Sequence, residues 1–182
     1  MKVVETALPG VLVIEPKVFG DARGFFLESW SRDAFAAAGL TMNFVQDNHS
    51  FSGRGTLRGL HYQLTHAQGK LVRVTQGEVF DVAVDLRRSS PHFGSWVGVN
   101  LSAENKRMMW VPEGFAHGFY VVSPAAEFLY KCTNVYDPGS ERTLLWNDPS
   151  LGIDWPLAAG VQTLLSPKDQ AGLRLQDAEV FD

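Results

Sequence analysis

Glu78-Val-Phe-Asp-Val-Ala-Val-Asp-Leu86 is the segment whose pattern indicates most clearly how this chain folds. Apolar and polar residues alternate through its centre, and a period of two is typical of a β-strand with one buried face. The alternation recurs before it in Lys70–Thr75 and after it in Ser95–Leu101, and Gln76-Gly77 forms a turn. Turn residues recur at intervals of about eight to twelve positions, which favours a sandwich or barrel over a βαβ fold.

Further segments extend this β pattern and place short helices at its margins. Ser31 is expected to cap a helix that runs to Leu40, and Ser166-Pro167-Lys168-Asp169 has the residue types of N-cap, N1, N2 and N3. We therefore predict one domain over residues 1–182, a mainly β jelly roll or double-sheet barrel with a few short peripheral helices. The other strand candidates are Val11–Ile14, Phe25–Trp30, Arg107–Val111, Phe119–Val122 and Glu127–Val135.

Composition limits the classes of function. The chain has 182 residues, of which 45% are hydrophobic and 20% charged, as in ordinary globular proteins. A formal net charge of -4 argues against broad nucleic-acid binding but allows a local cluster of cations around an anionic ligand. The single Cys132 favours a reducing compartment. No apolar run approaches the roughly 20 residues of a membrane helix, and no signal-peptide core opens the chain, so we predict a cytoplasmic protein.

Arg54-Gly-Thr-Leu-Arg-Gly-Leu-His-Tyr-Gln63 combines a β-type run with glycines and two groups capable of chemistry. Gly55 and Gly59 indicate a bulge or a close approach of the backbone to a ligand. Arg58 supplies a fixed positive charge, and His61 supplies a base that titrates near neutral pH. Two interpretations stay open: a bulged strand with a surface arginine and a hydrogen-bonded histidine, or a site in which the glycines leave room for a ligand.

Three other residues could act with His61, and each also has a purely structural interpretation. Asp169 could orient a histidine base, but an acid at N3 of a capped helix is satisfied without catalysis. Lys70 could stabilise an oxyanion if it points inward, although spacing alone favours an outward lysine. Tyr130 could donate a proton, although taken alone it is more typical of a core aromatic residue.

Pro112-Glu-Gly-Phe-Ala-His117 resembles the second motif of the cupins, Pro-x-Gly-x-x-His. Cupins often hold a metal with two histidines spaced by one residue, a carboxylate and a further histidine. In this chain Gln63 stands where the second of the paired histidines is expected, which leaves His61 and His117 as the only plausible ligands. We therefore predict a site without a metal.

Five segments together resemble one family, the dTDP-4-dehydrorhamnose 3,5-epimerases. They occur in the family's order and span the chain from its N-terminus to about Asp169. The segments are Asp21–Glu28, Phe44–Ser50, Leu57–Gln63, Gln68–Arg73 and Trp110–Phe119.

The resemblance implies a cupin-type enzyme without a cofactor in the pathway to dTDP-L-rhamnose. Its substrate would be a 4-keto-6-deoxyhexose linked to thymidine diphosphate, whose C3 and C5 protons are acidified by the C4 ketone. In this assignment His61 is the base oriented by Asp169, Lys70 stabilises the enolate oxygen, and Tyr130 is the acid on the other side.

The resemblance also implies a substrate-binding set and a homodimer. Arg23 and Glu28 would cross from the N-terminal segment of one subunit into the site of its neighbour. Tyr136 would stack on the thymine, and Arg23, Arg58 and Lys168 would contact the diphosphate or sugar. The implied substrate-binding residues are Arg23, Glu28, Gln46, Asp47, Asn48, Arg58, Lys70, His117, Tyr136, Glu141 and Lys168.

Three alternatives remain at the level of sequence. A related enzyme that epimerises only C3 or only C5 would share the base, the lysine and the tyrosine. A non-catalytic cupin could bind a sugar nucleotide, but it would have no need for a base, an acid and an oxyanion cation together. A metal-dependent cupin oxygenase is disfavoured by Gln63.

Overall fold

The structure is a computed structural model that describes residues 1–182. Two antiparallel sheets pack face to face, one of six strands and one of five, and a separate two-stranded hairpin precedes the first helix. In chain order the elements are β1 (Lys2–Glu5), β2 (Leu12–Glu15), β3 (Val18–Asp21), β4 (Gly24–Leu27), α1 (Arg32–Ala37), β5 (Gln46–Gly53), β6 (Leu57–Gln63), β7 (Lys70–Gln76), β8 (Glu78–Asp85), β9 (Trp96–Ser102), β10 (Met108–Val111), β11 (Phe115–Val121), β12 (Ala125–Cys132), β13 (Glu141–Thr143), α2 (Pro167–Gln170) and a 3₁₀ helix (Leu175–Asp177).

The strand order is that of a double-sheet β fold, as the sequence predicts. The six-stranded sheet has the order β1-β2-β10-β7-β12-β5, and the five-stranded sheet has the order β13-β6-β11-β8-β9. Most neighbouring strands in these two sheets therefore come from distant parts of the chain, and only β1–β2 and β8–β9 are consecutive in sequence. No helix of the structure is long and apolar enough to cross a membrane.

The helix signals were accurate to within a few residues. Ser31 caps α1 through its side chain, and Gly39 adopts a φ of +82° just beyond the helix. The amide of Leu40 donates to the carbonyl of Phe35, and this bond closes a Schellman motif. The helix therefore ends at Ala37 and not at Leu40. The capping box at the start of α2 is present as predicted, with Pro167 at N1 and Asp169 at N3.

Strand β11 begins at Phe115, four residues earlier than the alternation indicates, because the strand is buried on both faces. Phe119 packs into the core between the two sheets together with Val72 and Phe128. Tyr120 faces the opposite side and packs beneath the C-terminal segment. That segment covers the outer face of the five-stranded sheet and brings α2 alongside β6.

The predicted bulge in β6 is confirmed. His117 pairs with His61 and Phe119 pairs with Arg58, so two residues of β6 oppose the single Gly118 of β11. The expectation that the glycines of this segment leave room for a ligand is wrong. A Cβ on Gly59 would lie 2.6 Å from the Cα of Gly118, so glycine is needed there for the close approach of two backbones.

Replacing Gly59 by alanine is expected to lower the free energy of unfolding by about 2 kcal/mol or more. The backbone at Gly59 has a φ of +123°, which an L side chain rarely adopts, and the new methyl group would overlap β11. Denaturant unfolding measures the change. Gly53→Ala is the control, because a Cβ there meets nothing within 4 Å. Equal stability of the two variants would contradict the close approach.

Candidate active site

A cavity of about 360 Å³ opens between the two sheets, and most of the predicted site residues line it. Each sheet contributes one wall, and α2 closes part of the rim. Four lining residues were missed by the sequence analysis, namely Ser50, Gln68, Gly118 and Phe119. The predicted residues that line the cavity are His61, Lys70 and Tyr130 together with Gln46, Asn48, Arg58, His117, Tyr136, Glu141 and Lys168.

His61 projects from β6 and forms a short hydrogen bond with Asp169 of α2. The distance between His61 Nε2 and Asp169 Oδ1 is 2.6 Å, and Asp169 is only 2% exposed. The same carboxylate accepts bonds from the Gly59 amide and from the Ser166 hydroxyl. The two interpretations of Asp169 are therefore not exclusive, because one oxygen caps the helix while the other holds the histidine.

The electrostatics of this pair keep His61 neutral and Asp169 ionised. Burial raises the pKa of Asp169, but the hydrogen bonds from His61 and Ser166 outweigh it and hold that pKa at about 2. Burial lowers the pKa of His61, the positive charges of Lys168 and Lys70 add to this effect, and Asp169 opposes it. An ionised carboxylate only accepts hydrogen bonds, so the proton resides on Nε2 and the lone pair on Nδ1. Nδ1 forms no hydrogen bond within the protein, and the side chain of His61 lines the cavity. This histidine can act as a base.

The imidazole of His61 is expected to titrate below its ordinary pKa of 6.5. Because the folded state disfavours the imidazolium, the neutral base persists at neutral pH and is lost only as the pH falls further. Nitrogen-detected NMR across a pH series would give the midpoint, and His61→Gln would assign the resonances by their disappearance. A midpoint above 6.5 would contradict the environment described.

Lys70 and Tyr130 lie on the opposite wall, in the six-stranded sheet. The expectation from spacing that Lys70 points outward is wrong: Lys70 is 8% exposed and shares the inner face of β7 with Val72 and Val74. Spacing was misleading because Leu71, on the outer face, is also buried beneath α1. Burial lowers the pKa of Lys70 and thereby weakens its hold on its proton.

Tyr130 combines a place in the core with a place on the cavity wall. Its ring packs at 6.0 Å from the ring of Phe128 in the core, and its side chain also lines the cavity. Burial raises the pKa of Tyr130 to about 12, so its hydroxyl keeps a proton at neutral pH. A potential donor therefore faces His61 from the other sheet.

The rim of the cavity carries several polar side chains that are linked by hydrogen bonds and an ion pair. Tyr136 is half exposed, its hydroxyl donates to Glu141 over 3.0 Å, and its amide donates to the side chain of Gln46. Lys168 forms an ion pair with Glu141 at 2.8 Å. Burial raises the pKa of Glu141, but the hydrogen bond from Lys168 outweighs it and lowers that pKa overall. Together with Arg58, this rim presents positive charge and an exposed aromatic face.

Three predicted binding residues lie outside the cavity of their own chain. Arg23 is exposed in the turn between β3 and β4 and pairs with Asp21. Glu28 follows β4 and is also exposed. Asp47 lies between two cavity-lining residues of an extended strand, so its side chain points to the other face, where it pairs with Lys131 at 2.9 Å.

Gln63, which stands at a ligand position of metal-binding cupins, has a structural use here. Its amide donates to the carbonyls of His66 and Val135, and its oxygen accepts from the amide of Asp137. The side chain thereby ties β6 to the two loops beside the cavity. No group of three or more His, Cys, Asp or Glu side chains is arranged to hold a metal ion. The metal-free site stays a prediction.

One buried carboxylate of the site was missed by the sequence analysis. Asp81 of β8 is fully buried, and its two oxygens lie 2.9 and 3.1 Å from Nε2 of His117. The available signal was an acid in the middle of an otherwise apolar strand, between Phe80 and Val82. A buried acid requires a partner, and only the fold shows which one.

Comparison with known proteins agrees with this geometry. Residues 5–177 match the sequence model of the dTDP-4-dehydrorhamnose 3,5-epimerases. The chain belongs to this family. An epimerase from Pseudomonas aeruginosa is 62% identical over 182 residues, which cover 100% of this chain and 99% of the relative. An epimerase from Mycobacterium tuberculosis is 41% identical, with coverage of 97% and 89%.

Solved structures show the same fold. The family member from Legionella pneumophila, in complex with dTDP-4-keto-L-rhamnose, has a TM-score of 0.94 at 54% identity and covers 98% of this chain and 94% of its own. A 3'-monoepimerase from Streptomyces bikiniensis, in complex with dTDP-quinovose, has a TM-score of 0.87 at 32% identity, with coverage of 94% and 86%. The present epimerase is thus an isomerase of the dTDP-rhamnose pathway with a cupin fold.

Proposed function

We propose that this chain epimerises both C3 and C5 of dTDP-4-dehydro-6-deoxy-D-glucose and so forms dTDP-4-dehydro-L-rhamnose. The observation that carries the proposal is the placement of a neutral base and a protonated acid on opposing walls of one cavity. His61 belongs to the five-stranded sheet, and Tyr130 belongs to the six-stranded sheet. Inversion of a carbon needs proton removal on one face and proton delivery on the other, and this arrangement supplies both.

Each inversion proceeds through an enolate. Nδ1 of His61 takes the proton from the carbon beside the C4 ketone, and the electron pair of that C–H bond moves onto the ketone oxygen. Lys70 places its ammonium beside the developing oxyanion in a water-poor cavity, where a fixed charge is most effective. The carbon then takes a proton from the Tyr130 hydroxyl on the opposite face. Exchange with solvent returns a proton to Tyr130 and removes one from His61.

The rim supplies the proposed nucleotide site. Arg58 and Lys168 meet the diphosphate, since guanidinium and ammonium groups are the usual partners of phosphate oxygens. Tyr136 stacks on the thymine with its exposed ring. Gln46, Asn48, Glu141 and His117 offer donors and acceptors to the sugar and base.

A single-site epimerase is the second candidate, and a specific observation favours keeping it. The Streptomyces bikiniensis protein is a 3'-monoepimerase and shares this fold with a TM-score of 0.87. A base, an acid and a lysine would serve inversion at one carbon as well as at two. Which carbons exchange therefore separates the candidates.

In deuterium oxide the enzyme is expected to introduce label at both C3 and C5 of the 4-keto-6-deoxyglucose nucleotide. Proton NMR of the recovered sugar measures each position separately. Label at one carbon alone would favour a single-site epimerase, and no label would favour a binding protein. Metal analysis of the same active sample tests the metal-free site, because a stoichiometric metal would require a different mechanism.

Two variants assign the roles in this exchange. His61→Ala is expected to lower exchange at both carbons by a factor of about 10² to 10⁴, the usual contribution of a general base. Tyr130→Phe should retain measurable proton loss while the rate of epimerised product falls. Full exchange in the first variant would exclude His61 as the base, and an unchanged product rate in the second would exclude Tyr130.

We further propose a cytoplasmic homodimer in which the N-terminal hairpin of one subunit completes the site of the other. Support comes from the hairpin itself, where Phe19, Phe25 and Phe26 are all more than half exposed. Such a cluster of exposed aromatic side chains is typical of an interface. Arg23 and Glu28 lie outside their own cavity, which agrees with a contribution to a neighbour's cavity. The single buried cysteine supports a reducing compartment.

Mixing two inactive variants tests the exchange of the hairpin. Arg23→Ala and His61→Ala are each expected to lose most activity. When they are refolded together in equal amounts, half of the dimers combine both, and each has one complete site. About a quarter of wild-type activity should return, as the symmetry of a twofold dimer requires. No recovery in the mixture would place Arg23 in the site of its own chain.

A further inference from the structure

A second histidine–aspartate pair lies at the inner end of the cavity, and the proposed mechanism leaves its carboxylate unused. His117 lines the cavity, and Asp81 lies behind it with no exposed surface. Both oxygens of Asp81 are bonded to the same imidazole nitrogen, and the carboxylate has no other hydrogen-bond partner. A buried carboxylate with a single hydrogen-bond donor is poorly compensated. Burial therefore raises the pKa of Asp81, whereas His117 and Lys70 oppose that rise and favour the charged form.

Lys70 carries a positive charge that also lacks a partner. Its side chain is 8% exposed, and its ammonium group forms no hydrogen bond or ion pair within the protein. The charged and titratable groups that face it come from several elements of both sheets and from α2. They are Asp81, Glu141, Cys132, Lys168, His61, His117 and Tyr130.

Most of these groups cannot balance the lysine. Glu141 is already neutralised by Lys168 in an ion pair of 2.8 Å. Burial raises the pKa of the Cys132 thiol and thereby keeps it protonated, and burial does the same for the Tyr130 hydroxyl. His61 is a neutral base. Asp81 is therefore the one carboxylate facing Lys70 that no lysine or arginine pairs with.

We propose that Asp81 is a positioning residue that keeps Lys70 protonated inside the cavity and holds the ring of His117 in one orientation. The inference rests on the proposed function for the role of Lys70 at the oxyanion. An ionised Asp81 accepts the Nε2 proton of His117 and thereby fixes the orientation of that ring. The burial of both side chains limits the screening of their interaction by water.

Asp81→Asn removes the charge while preserving the shape of the side chain. The alkaline limb of the profile of kcat/KM against pH, set by loss of the Lys70 proton, is expected to move to lower pH by about one unit, equivalent to tenfold in the lysine equilibrium. Activity at neutral pH should fall and recover as the pH is lowered. A purely structural defect would instead reduce activity by the same factor at every pH.

A readout independent of catalysis separates this inference from the proposed function. The pH dependence of Lys70 acetylation by acetic anhydride, followed by peptide mass spectrometry, reports deprotonation of the amine directly. Its midpoint should fall in Asp81→Asn and stay near the wild-type value in Asp81→Glu, which retains the charge. A shifted acetylation midpoint with an unshifted activity profile would remove Lys70 from the mechanism without affecting the role of Asp81.

Asp85→Asn is the matched control on the same strand. Asp85 is equally buried, but its carboxylate is bound by Arg87 and Ser90 outside the cavity, so both profiles should stay at wild-type values. Asp81→Ser serves as the second neutral variant if Asp81→Asn does not fold. An unchanged acetylation midpoint in the neutral variant, or an equal shift in Asp85→Asn, would overturn the proposal.

Discussion

The site depends on one hydrogen bond, between Nε2 of His61 and the carboxylate of Asp169. The two residues are 108 positions apart, and they meet because the C-terminal segment packs over the outer face of the five-stranded sheet. The carboxylate also caps α2 and accepts the amide of Gly59 in the bulge of β6. The carboxylate of Asp169 therefore connects β6, the bulge at Gly59 and α2. Disturbance of any one of them would change the basicity and orientation of the histidine.

A second constraint is the amount of charge that the interior contains. Lys70, Asp81 and Asp169 are each more than nine-tenths buried, and each would be costly to ionise alone. Asp169 is balanced by several hydrogen-bond donors, whereas Asp81 bonds only to His117 and, in our proposal, interacts with Lys70 across the cavity. A cavity that must bind an anionic nucleotide and stabilise an enolate benefits from positive charge held in place before the substrate arrives.

Most strands, the capping box of α2 and the bulge of β6 could be predicted from the sequence, because each depends on residues that are neighbours in the chain. Alternation revealed most of the strands, and the residue order at Ser166 revealed the capping box of α2 with Asp169 at N3. The bulge at Gly59 was predictable from glycines inside a β-type run. The reason for Gly59 was not, because the Cα of Gly118 that excludes a side chain belongs to a strand more than fifty residues later. Likewise, the sequence showed that Gln63 departs from the metal-binding motif of cupins. Its hydrogen bonds to two loops could be identified only from the folded structure.

The sequence by itself determined the class of fold, the family and the residue types available for chemistry, since periodicity, capping and motifs are written in neighbouring positions. Only the tertiary structure decided which of those residues share a cavity. In the tertiary structure Lys70 points inward, because both faces of β7 are covered and Lys70 lies on the same face as Val72. The tertiary structure also placed Asp81 behind His117, and it left Arg23 and Glu28 outside the cavity of their own chain. Orientation and partnership depend on contacts between distant strands, and a linear pattern does not contain them.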